Sequence, residues 1–352
     1  MKMSFDNILI DRAFIYFLTV FFLGGSLISC TSRREDPKKQ EFALSPGIMV
    51  LVCSEGNFRW GNASLGLLNL ATNQWDENAY KTLTGKALGD VCQSVSFWQE
   101  EWWIVVNNSA KIEIVNEGDM RPVKTLEGFI SPRFVCPVSS QKGYVTDLYA
   151  EKIWVVNRQS KQIIASIPFP GWGEEMVLFL DDVWVMNKKK NKLYKIDTRN
   201  DILGDSISFP GNLTSITQSG TGIWVAFDST KSSMPGIAHF NPLTKIIDKT
   251  VFSSSEIAPQ NLQHSSSGDT VFFIQDKPKM LNVNSSEWPV SDLLDGKTGN
   301  FYGLGYDPKR QELWVSDAKD YQQKSKLIRK NLANGSIREY PGGIISSRFY
   351  FW

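Results

Sequence analysis

The sequence predicts an all-β fold: a seven-bladed β-propeller with four antiparallel strands per blade, closed by the C-terminal strand pairing into blade one. Three observations lead there. Short β-rich runs ending in Asn or Asp recur at Asn107, Asp147, Asn187, Asp228, Asp276 and Asp317, in steps of 40, 40, 41, 48 and 41 residues by subtraction. A period of about 40 residues in aromatic and β-branched runs marks propeller blades. The runs themselves, such as Trp102-Trp103-Ile104-Val105, Ile223-Trp224-Val225 and Leu313-Trp314-Val315, follow a period of two rather than 3.6. Finally, the first repeat lacks a strand and the tail of the chain has one to spare.

The units resolve in order. The first, 47–85, supplies strands at 48–53, 64–69 and 79–83 and no inner strand. The second places its inner strand at 91–98, then 102–107, 111–116 and 122–126, and closes at Gly128. The third repeats this at 134–138, 143–147, 152–157 and 162–168. Long apolar runs fit blades that bury both faces against their neighbours. The tail 344–352 is one strand with no blade after it, so it is expected to fill the inner position of blade one and remove an open edge.

The chain begins with an expected targeting segment, 1–29. Lys2 and Arg12 form a basic n-region, and 13–25 is a short apolar stretch. It suits a signal peptide better than a transmembrane helix, which takes about 20 apolar residues. Leu27-Ile28-Ser29-Cys30 has the spacing of a bacterial lipobox, so Cys30 is the expected lipidation site and membrane anchor. Residues 30–41 then read as a polar tether, and the propeller as 42–352.

The chain carries 38 Lys and Arg against 37 Asp and Glu. This balance argues against nucleic acid, which asks for a basic stripe. Cys53, Cys92 and Cys136 each lie in an apolar run; three is odd, so buried free thiols are expected, with one disulfide as the alternative. No nucleophile elbow or Cys/His metal spacing occurs, so a cofactor and catalysis are not expected. His239 falls in a third strand and reads as structural; His264 lies where it can reach the channel but has no clear partner.

Propeller topology brings every turn between second and third strands to one face, together with the linkers to the next blade. Asn107, Asp147, Asn187, Asp228, Asp276 and Asp317 are therefore expected to ring that face. Such residues also start turns by bonding their own backbone. The linkers and the long first turn add Trp60, Asn62, Asp90, Arg133, Trp172 and Tyr302. Trp60 and Trp172 sit among glycines in polar loops, where exposed aromatics suit a large ligand with polar edges.

Ser54-Glu55-Gly56-Asn57-Phe58, Gly61-Asn62-Ala63-Ser64-Leu65, Leu88-Gly89-Asp90-Val91-Cys92-Gln93-Ser94, Val105-Val106-Asn107-Asn108-Ser109 and Ser131-Pro132-Arg133-Phe134 resemble Bacteroidetes surface lipoproteins of the YncE-like propeller type. Among these the resemblance is to the cobalamin-binding surface lipoproteins, BtuG. Ser54 departs from the usual Asn before Glu-Gly, and Cys92 replaces a small residue. Arg34-Glu35-Asp36 likewise resembles the signal that sends such lipoproteins to the outer face of the outer membrane. The resemblance implies a corrinoid (cobalamin) as transported ligand and a TonB-dependent outer-membrane transporter as partner. The rival readings are a surface propeller for a glycan or peptide, and a propeller enzyme such as a lyase or quinoprotein-like oxidoreductase. If Cys30 carries the lipid, Cys30→Ala is expected to leave the membrane fraction or remain unprocessed. Fractionation with acyl labelling checks this; unchanged labelling of a membrane-bound variant would end the lipoprotein reading.

Overall fold

The structure, a computed structural model, describes Leu44 and residues 47–352. Cys30, the targeting segment and the tether lie outside the described residues. No helix among the described residues is long and apolar enough to cross a membrane.

Among the described residues twenty-seven strands form seven antiparallel sheets. Blade one contains β1 (Met49–Ser54), β2 (Ser64–Asn69), β3 (Gln74–Asp76) and the last strand, β27 (Ser346–Phe351), in the order β27-β1-β2-β3. The other inner strands are β4 (Cys92–Phe97), β8 (Pro132–Pro137), β12 (Gly173–Phe179), β16 (Leu213–Gln218), β20 (Gln260–His264) and β23 (Phe301–Asp307). Each inner strand touches the next around the ring, and β23 reaches β27.

The apolar clusters explain why blades gather in a ring. Trp103 packs with Val135 and Val145 of the following blade. Trp184 packs with Phe227 and Phe240, and Trp224 with Val271 and Phe273. Trp314 packs with Val50, Val52 and Phe349 across the chain's two ends. All four tryptophans are buried second-strand residues, so the aromatic period in the sequence is the period of contacts between blades.

Closure follows the expected pattern. Val50 opposes Phe351, Leu51 opposes Tyr350 and Val52 opposes Phe349. Met49 and Trp352 exchange backbone hydrogen bonds of 2.8 and 2.9 Å. Phe349 and Phe351 then lie 5.9 and 6.3 Å from Trp314 of blade seven, so the closing strand is held by pairing and by packing.

Two elements differ from expectation. Residues 79–83 are not a strand: helix α1 (Ala79–Thr84) stands there, and the outer strand of blade one is β3. Ala79 and Tyr80 are buried on the helix, and Gly85 ends it in the left-handed region at φ 74°. The sixth blade has three strands, β20, β21 (Thr270–Gln275) and β22 (Lys277–Asn282). Its outer edge is covered by irregular chain, with Leu293 N–H donating to the Pro278 carbonyl at 2.8 Å. Pro289 in this segment lacks the N–H that a ladder needs. Leu293 and Leu294 still bury themselves against blade seven, so packing survives the loss of the strand.

Deleting residues 346–352 removes several buried aromatics, each worth about 3–5 kcal/mol, against a domain stability of about 5–15 kcal/mol. The expected product is insoluble or unfolded by circular dichroism. An unchanged melting temperature would refute this closure.

Candidate ligand funnel on the loop face

All seven inner strands carry the same irregularity near the loop face. The register against the second strand shifts at Gln93, at Arg133 and Phe134, at Glu174 and Glu175, at Thr214, at Asn261 and Leu262, at Tyr302 and Gly303, and at Ser347. A β-bulge leaves its extra residue out of the ladder and re-aims the side chain. Seven bulges around one channel therefore turn a ring of polar and aromatic groups inward. They line a cavity of about 370 Å³ whose walls include Gln93, Arg133, Phe134, Glu174, Glu175 and Arg348.

The long blade-one loop forms one side of the funnel. Glu55 and Gly56 N–H groups donate to the carbonyls of Ile345 and Ile344 at 2.9 and 3.0 Å. Gly56 has φ 72°, and a Cβ there would lie 2.5 Å from Asn62 Oδ1, so only glycine fits this tight turn. Tyr302 donates its hydroxyl to Glu55 Oε1 at 3.1 Å. Burial raises the Glu55 carboxyl above the usual range, partly opposed by that hydrogen bond and by Arg133 and Arg348. Burial also raises the Tyr302 phenol, and the Glu55 charge adds to it. A second cavity of about 280 Å³ between blades six and seven shares Gln260 and Tyr302 with the funnel.

Of the residues expected from the sequence, Asn107, Arg133 and Tyr302 line the funnel. Trp60 is 77 % exposed on the long loop. Asn62 braces that loop by accepting Asn57 N–H at 2.8 Å, and it lines a separate cavity beside α1. Asp90 accepts Arg59 N–H at 2.7 Å and a short bond from Asn108, fastening the loop to blade two. Trp172 meets Tyr149 edge-on at 6.0 Å, with Lys189 Nζ 5.7 Å from its ring.

The remaining strand-end residues hold loops. Asp147 is fully buried and accepts the N–H groups of Ile130 and Ser131 at 2.8 and 3.0 Å and Trp154 Nε1–H at 3.1 Å. Asn187 donates to the Pro170 carbonyl at 3.0 Å. Asp317 accepts Asn300 N–H at 3.0 Å, and Asp228 accepts Ser229 N–H at 2.7 Å. In blade six the latch is Gln275, which donates to Ser253 Oγ and the Ile257 carbonyl at 2.7 Å, while Asp276 is exposed beside the second cavity. Even Asn107 donates to Ser131 Oγ at 2.8 Å and to the Pro132 carbonyl at 2.9 Å.

Sequence reasoning left Gln93, Glu174, Glu175, Thr214, Asn261 and Arg348 out of the site. Their signal is a second register in the repeat: 93, 133, 174, 214, 261 and 302 differ by 40, 41, 40, 47 and 41. Among the described residues Cys53, Cys92 and Cys136 are free and buried, and burial pushes the Cys136 thiol up to about 12. His239 lies off the funnel, its Nδ1 2.6 Å from Asp248.

Fold and funnel together define a seven-bladed propeller with a polar, loop-face cavity on its axis. The chain belongs to the family described as a domain of unknown function, DUF5074, whose model matches residues 48–342. A quinoprotein alcohol dehydrogenase-like protein from Bacteroides thetaiotaomicron shares 11 % identity over 87 % of this chain and 78 % of its own, with a TM-score of 0.67. A functionally unknown protein from Desulfotomaculum acetoxidans shares 13 % over 87 % and 98 %, with a TM-score of 0.66. Dihydro-heme d1 dehydrogenase NirN in complex with DHE shares 8 % over 89 % and 77 %, with a TM-score of 0.59. At these identities the likeness is one of fold. No curated protein matches the chain.

The latches make a testable distinction. Asp147→Ala strands buried N–H donors, at about 1–3 kcal/mol each, so a loss of about 3 kcal/mol or more is expected in urea unfolding. Asp276→Ala, on the surface, is expected to change stability by less than about 0.5 kcal/mol. Equal effects would refute the latch assignment.

Proposed function

We propose that this protein is an exported, lipid-anchored binding propeller that captures a corrinoid on its loop face and passes it to a TonB-dependent outer-membrane transporter. The bulge-built funnel is the observation that supports a binding role most directly. Gln93, Asn107, Gln260 and Asn261 offer amide donors and acceptors, and Phe58, Phe134 and Tyr302 offer apolar surface between them. A corrinoid has matching chemistry: amide arms around the edge of a ring with apolar faces. Such a ligand is larger than the funnel, so its edge enters while its ring lies against the exposed Phe58 and Trp60. The motifs of the first two blades, with their likeness to the cobalamin-binding surface lipoproteins, supply the choice of corrinoid. The lipobox at Cys30 supplies the surface location, and that location supplies the transporter as partner.

Two of the three funnel carboxylates support a binding role rather than general-base chemistry. Glu174 and Glu175 are each held by an arginine, at 2.9 and 2.8 Å, which leaves neither poised as a general base.

Titration with cyanocobalamin, read by calorimetry and visible absorbance, tests the reading. Wild type is expected to bind at micromolar concentration or tighter, and Trp60→Ala to weaken binding by about tenfold, or about 1.4 kcal/mol. Leu243→Ser, exposed in a turn on the opposite face, is expected to bind like wild type. Absence of heat and spectral change with wild type would remove the corrinoid and leave a propeller for another ligand.

A further inference from the structure

The charged groups lining the funnel are Glu55, Glu174 and Glu175 against Arg133, Lys188 and Arg348. The arginines are already engaged, each by a residue of a different blade. Arg133 donates through Nε to Glu174 Oε2 at 2.9 Å and through Nη1 to Gln93. Arg348 donates through Nη2 to Glu175 Oε1 at 2.8 Å, and its guanidinium lies 4.7 Å from the centre of the Phe134 ring. The other oxygens of the glutamates are occupied too. Glu175 Oε2 accepts Ser215 Oγ–H at 2.9 Å and Ile216 N–H at 2.8 Å, and Glu174 Oε1 faces Lys188 Nζ at 3.9 Å.

Arginine in a concave site is the usual means of gripping a carboxylate or phosphate, because its planar fork matches two oxygens. Here protein carboxylates take that place. We propose that the funnel selects its ligand by charge: Glu174 and Glu175 occupy the two arginines, so the site accepts a net-neutral, amide-bearing ligand and turns away an anionic one. An entering anion must either approach the glutamates or displace them. Displacement strands a carboxylate whose side chain is only 4 % exposed at Glu174 and 13 % at Glu175, a costly outcome for a buried charge. A neutral amide avoids both, since it accepts from a guanidinium and donates to a carboxylate without breaking the pair. Glu174 and Glu175 are thus specificity determinants of the funnel. This rests on reading the funnel as the ligand site.

The full chain is titrated with cyanocobalamin and with its monocarboxylate, in which one side-chain amide is hydrolysed. In parallel, inorganic phosphate is added at constant ionic strength and the melting temperature is read. Wild type is expected to prefer the neutral corrinoid by about tenfold or more, a difference of about 1.4 kcal/mol. Its affinity is expected to change less than about twofold between about 0.05 and about 0.5 M salt, where screening lengths differ severalfold. Glu175→Gln frees Arg348 and is expected to shift the preference towards the carboxylate by about tenfold and to make phosphate stabilising. Glu174→Gln does the same through Arg133 and serves where the first variant fails to fold. Equal or tighter wild-type binding of the monocarboxylate, or a tenfold loss with salt, overturns the proposal. If neither corrinoid binds wild type, the corrinoid reading falls and phosphate alone decides charge selection. Stabilisation of the Glu→Gln variants but not of wild type upholds it, whereas the same response in all, or none in any, overturns it.

Discussion

The antiparallel pairing of β27 with β1 is the interaction on which the rest of the molecule depends. A blade is a sheet with two apolar faces, and neither face can be left to water. Each pair of neighbouring blades hides one face of each, as Trp184 does against Phe240 at a ring separation of 4.8 Å. In an open row the outermost faces would stay exposed, so only a ring satisfies every blade. Trp314 stacks on Tyr340 of its own blade at 5.7 Å, and with β27 in place it also meets Phe349 of the closing strand and packs with Val50 and Val52 from the opposite end of the chain. The same strand pairing places Ser347 and Arg348 on the channel wall, so closure also completes the seventh wall of the funnel.

The ring sets the conditions for the site. Seven inner strands run side by side around an axis, and at the loop face their ends enclose an open cavity rather than a packed core. Bulges at those ends exchange ladder pairing for side chains directed inward. The strand-end Asn, Asp and Gln residues are the counterpart. Asp147, Asn187, Gln275 and Asp317 spend their hydrogen-bonding capacity on linker backbone that enters the same blade. Loops fixed in this way hold the start of each bulged strand, the rigid support that a binding site requires. Latch and bulge are therefore two parts of one device, repeated blade by blade.

Much of this was legible in the sequence, because blade contacts are periodic and local. Trp103, Trp184, Trp224 and Trp314 recur at the repeat spacing since each meets the same kind of neighbour, and the spare tail strand follows from counting. Residues 79–83 misled because Ala-Tyr-Lys-Thr-Leu is short and apolar enough for either element. The signal against a strand was Gly85, which closes the helix in the left-handed region. The site was half legible for a related reason. Asn and Asp stand out because turn chemistry is a property of a few adjacent residues. Gln93, Glu174, Thr214 and Asn261 are displaced by a register shift against another strand, which leaves no local mark and shows only as a second period when the repeats are aligned with one another. Blade six shows the limit from the other side: the repeat marked Asp276, but the side chain that bonds the linker is its neighbour Gln275.

The charge network at the mouth of the channel is not what stability alone would place there. Arg133 with Glu174 and Arg348 with Glu175 are largely removed from water, and such pairs return little net stability because desolvation offsets their attraction. Apolar residues at the same bulges would close the channel at lower cost. Keeping ions there holds the cavity open and polar. Their cross-blade geometry also stiffens it, since each pair spans strands that make no ladder bonds with each other: Arg133 joins blade three to blade four, and Arg348 joins blade one to blade four across the channel. A cavity whose shape and hydrogen-bonding pattern exist before anything enters needs little ordering on binding, which is where affinity is usually lost. The ion pairs thus make sense as the frame of a preformed recognition surface, with the bulges deciding which groups it displays and the closed ring keeping them at fixed distances.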